Sequence, residues 1–157
     1  MKYYTLVECA DAQVIADKIY NFLETQTDLL EKINFGWNFI DCNAVLVHVP
    51  ELFEFFKKNK LVPRNAAITI IETNKHLSRH IDELPVVAKM NFPVINTQGW
   101  SNRWYVDNNL VEELQDMPAP IVFNSQVEHS VELTHATEFP RIVASFTFHN
   151  EPLHLLQ

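Results

Sequence analysis

Apolar residues recur at helical spacing in the first third of the chain and at alternate positions through most of the rest. Over residues 10–30, Val14, Ile15, Ile19, Phe22 and Leu23 fall on one side of a 3.6-residue period, with Asp11, Asp17, Glu24 and Asp28 between them. This predicts a helix with Asp11 as its N-cap. Residues 37–40 and 43–49 read as short strands. Pro50 then opens a short helix over 51–58, where Leu52, Phe53, Phe55 and Phe56 give a broad apolar face. From there the period shortens to two. Strands are predicted over 66–72, 86–95, 103–106, 121–123, 128–133 and 141–148. In the second of these, Met90, Phe92 and Val94 share one face while Lys89 and Asn91 take the other. In the last, Ile142, Ala144, Phe146 and Phe148 form an apolar face opposite Arg141, Val143, Ser145 and Thr147. Helices followed by short strands predict an α+β fold, mainly antiparallel β with the N-terminal helices packed on it. The expected organisation is a single domain over 1–157, helical to about residue 60, with a β core over about 61–150.

Turn chemistry adds to this picture. Only Gly36 and Gly99 are glycines, so asparagine, which tolerates positive φ, is the expected substitute at Asn74, Asn96, Asn102, Asn108, Asn109 and Asn124. The stretch 96–102 around Gly99 reads as a mobile loop. An apolar fraction of 47% with 20% charged residues suits an ordered globular chain. No apolar run is long enough to span a bilayer, and the N-terminus has no apolar core of signal-peptide length, so the expected location is cytoplasmic. Two cysteines, Cys9 and Cys42, make neither a disulfide framework nor a zinc site on their own. The net charge of −8 disfavours nucleic acid, and Lys57-Lys58-Asn59-Lys60 reads as the basic end of a helix. There is no phosphate-binding glycine loop, nucleophile motif or Cys-x-x-Cys.

What remains for chemistry is a small set of side chains. His80 and Asp82 lie two apart, His129 follows 47 residues after Asp82, and Arg141 lies 12 beyond that. On an extended segment His80 and Asp82 point the same way, and His129 could join them from a neighbouring strand. Two imidazoles and one carboxylate are the donors that hold non-haem Fe(II) with positions left open. A cation on the polar face of the last strand needs an anionic partner. A dicarboxylate would serve, as would an exposed ion pair with Glu128 or Glu132. Ser145 is a second anchor about 13 Å along that strand at about 3.3 Å per residue, and Asn91 is a further candidate. Trp100, Arg103, Trp104 and Tyr105 either line a pocket or pack. His76, His135, His149 and His154 read as exposed or structural.

The order His80-x-Asp82, His129, Arg141 resembles the iron- and 2-oxoglutarate-dependent oxygenases. So do Ala67-Ile68-Thr69-Ile70 before the pair and Asn91-Phe92-Pro93-Val94-Ile95-Asn96 after it. The resemblance covers about residues 61–150 and is strongest to aspartyl/asparaginyl β-hydroxylase-like and small prolyl-hydroxylase-like proteins. It implies a double-stranded β-helix, or jelly roll. It also implies iron held by His80, Asp82 and His129, and 2-oxoglutarate held by the iron and Arg141. The implied activity is hydroxylation of a small molecule or peptide, with succinate and carbon dioxide as co-products. The chain departs from the family at Val143, where some branches carry serine, and in a long interval from His129 to Arg141. Two other readings stand beside this one: a jelly-roll binding module that turns nothing over, and a cupin-like metalloenzyme that does not use 2-oxoglutarate.

Overall fold

The computed structural model describes residues 1–26 and 35–157. The first helix, α1 (Ala12–Thr25), buries Ile15, Ile19, Phe22 and Leu23, the apolar side of its period. Val14, one position off that line, is exposed. Asp11 is the N-cap, as expected, with its carbonyl accepting from Ile15 N at 2.9 Å, but its carboxylate makes no capping bond. Residues 27–30 of the predicted helix lie outside the described residues.

After strand β2 (Gly36–Ile40) the structure corrects the sequence reading. Residues 43–49, expected as a strand, lie in helix α2 (Cys42–His48) and its C-cap. Asp41 decides this locally, because its carboxylate accepts the Ala44 N–H at 3.2 Å. Val45 and Val49 decide it globally. Four apart, they are both fully buried while Val47 between them is exposed, which a helical turn allows and strand alternation would not. Helix α3 (Pro50–Lys58) follows with proline in its first turn and Lys57 and Lys58 in its last, as expected.

The β structure is two antiparallel sheets. The larger contains β1 (Tyr4–Leu6), β2, β3 (Pro63–Ile71), β5 (Ala88–Ile95), β8 (Ile121–Asn124) and β10 (Arg141–Phe148), in the order β1-β8-β5-β10-β3-β2. The smaller has the order β4-β9-β6-β7, with β4 at Leu77–His80, β6 at Trp100–Val106, β7 at Asn109–Gln115 and β9 at Glu128–Leu133. The expectation of a mainly antiparallel structure with helices packed on it therefore holds.

The core follows from alternation. Even-numbered residues of β3, β5 and β10 (Ile68, Ile70, Met90, Phe92, Ala144, Phe146) meet the three helices in one apolar cluster. Phe56 of α3 sits edge-on to Phe146 and Phe148, with ring centroids at 5.0 and 5.1 Å. Odd-numbered residues of the same strands therefore face the smaller sheet.

Turns obey the asparagine expectation in part. Asn74, Asn96 and Asn108 have positive φ, whereas Asn102, Asn109 and Asn124 lie in strands. Asp107 and Asn108, both with positive φ, form the two-residue turn between β6 and β7. The expected mobile loop is strand over its last three residues: Trp100, Ser101 and Asn102 are buried in β6. Gly99 is packed so closely that an added Cβ would come within 2.8 Å of Thr137 Cγ2. β1 and β7 had no counterpart in the sequence reading. β7 is an edge strand with only Leu114 buried, so it carries no alternation to detect.

Phe56→Ala is expected to destabilise the fold by about 3–5 kcal/mol, because it empties a fully buried aromatic site. Urea unfolding followed by circular dichroism measures this. A loss below about 1 kcal/mol would mean that the α3 interface with β10 is not part of the stabilising core.

Candidate functional site

β4 and β9 are neighbours, with His80 directly opposite His129. Their rings lie 4.3 Å apart between centroids. Each imidazole is fixed in the same way: His80 Nδ1 lies 2.8 Å from the Ser78 carbonyl and His129 Nδ1 lies 2.7 Å from the Val127 carbonyl. A carbonyl can only accept, so each Nδ1 carries the proton and donates it. Each Nε2 is left with a free lone pair.

Asp82 lies beyond the end of β4, so strand geometry does not place it. Its backbone does: Asp82 N–H donates to Ser125 O, and its carbonyl accepts from Gln126 Nε2, both at 3.0 Å. Its Oδ1 then stands 3.5 Å from His80 Nε2 and 3.9 Å from His129 Nε2. The three donor atoms all lie within 4.8 Å of one another. Donors at right angles, each about 2.1 Å from one ion, are about 3 Å apart. Small side-chain rotations would close this cluster on a first-row metal, and its donor set suits Fe(II).

Burial holds the His129 imidazole well below its ordinary range, to about 4, with His80 and the Lys89 ammonium adding to the effect. The Val127 carbonyl and Asp82 oppose it. His129 is therefore neutral at physiological pH, as a metal ligand must be.

A cavity of about 650 Å³ lies between the two sheets. His80, Asp82 and His129 line it together with Arg141, Asn91 and Ser145. Ser145 and Asn91 are cross-strand partners, and Ser145 Oγ donates to Asn91 Oδ1 at 2.6 Å. Arg141 is only 2% exposed, and Nη2 donates to Asn102 Oδ1 at 3.1 Å. Its Nε has no partner, and no carboxylate pairs with it among the described residues. The ion pair with Glu128 or Glu132 is thus replaced by a neutral contact, and Glu128 faces Arg79 instead, at 3.9 Å. Burial pulls Arg141 down to about 10, which leaves it cationic at neutral pH. Trp104, stacked on Tyr4 at 4.7 Å, also lines the cavity, and its indole Nε1 is buried without a partner.

Neither a protein-family model nor a curated protein matches this sequence. Solved structures do share its fold. The viral collagen prolyl hydroxylase of Paramecium bursaria Chlorella virus-1, in its complex with 2-oxoglutarate, aligns with a TM-score of 0.58 at 11% identity, over 92% of this chain and 94% of that one. A prolyl-4-hydroxylase of Pseudomonas putida aligns at 0.57 and 13% identity, over 94% and 88%. The non-haem α-ketoglutarate-dependent epimerase SnoN of nogalamycin biosynthesis aligns at 0.55 and 13%, over 92% and 76%. The likeness is one of fold.

Sequence reasoning gave no site role to four residues that line this cavity, Lys89, Asn102, Trp37 and Phe39. Lys89 was read as sharing with Asn91 a strand face that could point into the site, without a role of its own, and its Nζ lies 2.5 Å from Asp82 Oδ2. The alternation of β5 was the signal, since a lysine on a strand whose other face is core needs a counter-charge. Asn102, read as a turn residue, is the partner of Arg141. Trp37 and Phe39, 52% and 72% exposed, extend the cavity wall along β2. Of the aromatic cluster, only Trp104 lines this cavity. Trp100 is tied by its indole to Lys75 O at 2.9 Å, Arg103 pairs with Glu113, and Tyr105 lies under Arg79.

The depressed His129 value has a defined consequence for stability. An unfolded chain protonates this residue near pH 6.5, whereas the folded protein resists until about 4. Between those values the unfolded state binds more protons. The contribution is therefore complete above pH 6.5 and is lost as pH falls. Metal-free protein is expected to lose on the order of 3 kcal/mol through this residue between pH 7 and pH 4. His129→Gln should flatten that part of the pH dependence in urea unfolding. Equal slopes in the two proteins would contradict the assignment.

Proposed function

We propose that this protein is an Fe(II)- and 2-oxoglutarate-dependent oxygenase, acting as one domain whose strands β3–β10 form a double-stranded β-helix. The strand order supports the fold reading. From β3 to β10 consecutive strands alternate between sheets except at the β6–β7 hairpin, and β3, β4, β5 and β6 pair with β10, β9, β8 and β7. The observation that carries the functional reading is the commitment of both Nδ1 atoms to carbonyls. It turns two Nε2 atoms toward Asp82 Oδ1 in a cavity that also holds a buried arginine with no carboxylate partner among the described residues.

In this reading His80, Asp82 and His129 hold the iron. Arg141 binds the distal carboxylate of 2-oxoglutarate, and the partnerless N–H groups of Arg141 and Trp104 supply donors for an anion in a low-dielectric wall. Asn91, oriented by Ser145, offers its amide to the same ligand or to substrate. Bound iron and co-substrate supply the oxidation of a substrate C–H bond by dioxygen, with succinate and carbon dioxide as co-products. The fold likeness to two prolyl hydroxylases and an α-ketoglutarate-dependent epimerase agrees with this class. The substrate, a small molecule or a peptide, presents an apolar surface. At the cavity rim Trp37 and Phe39 meet edge to face at 4.7 Å, and Ile81 and Leu84 are exposed.

Anaerobic titration with Fe(II) and 2-oxoglutarate is expected to give the visible metal-to-ligand charge-transfer band. His80→Ala should abolish it. Arg141→Met should keep iron binding but weaken 2-oxoglutarate about 10- to 100-fold, the range for a lost charged hydrogen bond. Iron binding with no band and no succinate under oxygen would favour a metalloenzyme without 2-oxoglutarate. No metal binding at all would favour a binding module.

A further inference from the structure

The two oxygens of Asp82 have different partners. Oδ1 faces the imidazoles, whereas Oδ2 lies 2.5 Å from Lys89 Nζ. This pair is built into the fold. The Asp82 backbone is pinned at both its N–H and its carbonyl, so its carboxylate moves only by side-chain rotation. Lys89 projects from β5, and its side chain is 12% exposed. Its ammonium stands 5.5 Å from the Trp37 ring and 5.7 Å from the Phe123 ring, the faces that attract a cation. Asp82 is the one carboxylate paired with it among the described residues.

We propose that Lys89 is a positioning residue: by occupying Oδ2 it restricts Asp82 to a one-oxygen ligand and keeps a further coordination position of the bound ion open. This rests on the metal reading above. A carboxylate free at both oxygens can take two positions on a hard dication. Three single-atom ligands leave three of six positions free, whereas a chelating Asp82 would leave two. A co-substrate that binds through two oxygens, together with dioxygen, requires three. Lys89 also places a positive charge across the shared carboxylate from an incoming dication, which weakens binding while it keeps the ion accessible.

Mn(II) binding to the purified protein, without co-substrate, tests this. The electron paramagnetic resonance signal of free Mn(II) gives affinity, and water-proton relaxation reports the waters left on the bound ion. Lys89→Met is expected to bind Mn(II) about tenfold more tightly, because the opposing charge is gone. It should also show a lower relaxation enhancement, because Asp82 closes on the ion with both oxygens. Lys89→Arg, which keeps the cation, should return both values toward wild type. If Lys89→Met does not fold, Lys89→Gln carries the same expectation. Equal or weaker binding with unchanged relaxation in a folded variant overturns the role of Lys89 and leaves the metal reading standing. Absence of Mn(II) binding by the wild-type protein overturns both.

Discussion

The two-residue turn at Asp107 and Asn108 folds the chain back on itself, and each later strand pairs with an earlier one in nested order. β6 meets β7, β5 meets β8, β4 meets β9 and β3 meets β10. The positive φ at both turn residues matches the right-handed twist of the flanking strands. The candidate site depends on this nesting. β9 is the only strand that β4 pairs with among the described residues, so His80 must meet a residue near 129, and in the observed register it meets His129 itself. A slip of one residue would turn His129 to the opposite face and disperse the donor cluster. The separation of 47 positions from Asp82 to His129 is the length of chain needed to form four strands and return.

Alternation then sorts the chemistry. On β10, Ile142, Ala144, Phe146 and Phe148 are committed to the helices, which leaves Arg141, Val143, Ser145 and Thr147 facing the cavity. β5 does the same, with Met90, Phe92 and Val94 inward and Lys89 and Asn91 toward the site. This part was legible in the sequence because the period is strict and each strand has one wholly apolar face. The short helix α2 was not legible. Its seven residues contain Val45, Leu46 and Val47, an apolar run with two β-branched valines that favours a strand locally, and burial of Val45 and Val49 on one side overrides it. Trp100, Ser101 and Asn102 were misread for a related reason: a glycine and several polar residues suggested a loop, and packing against β9 made a strand.

The position of Asp82 marks another limit of sequence reading. His-x-Asp suggests two side chains on one strand face, yet β4 stops at His80. The carboxylate is brought in by bonds to Ser125 and Gln126, in the connection between β8 and β9. The same short connection leads into β9, which carries His129, so the two halves of the donor set are tied together before any metal is involved. That coupling is long-range and leaves no local pattern. The partner of Lys89 is illegible for the same reason, since its counter-charge comes from a loop that the strand period does not describe.

The charges in the cavity constrain what it can accept. The chain as a whole carries −8, yet the cavity wall holds Lys89 and Arg141 against the carboxylate of Asp82, with Glu83 exposed at its edge and His129 neutral. A guanidinium buried to 2% exposure with only an amide partner is costly. Replacing it with an apolar residue would remove that cost, so its persistence in a site with unfilled donors points to an anion that completes it. Asp82 is already shared with Lys89, so it cannot also neutralise Arg141. A ligand that carries its own negative charge and coordinates a metal at its other end satisfies both demands at once. An apolar ligand satisfies neither, which places any apolar substrate out at the rim with Trp37 and Phe39, away from the buried arginine.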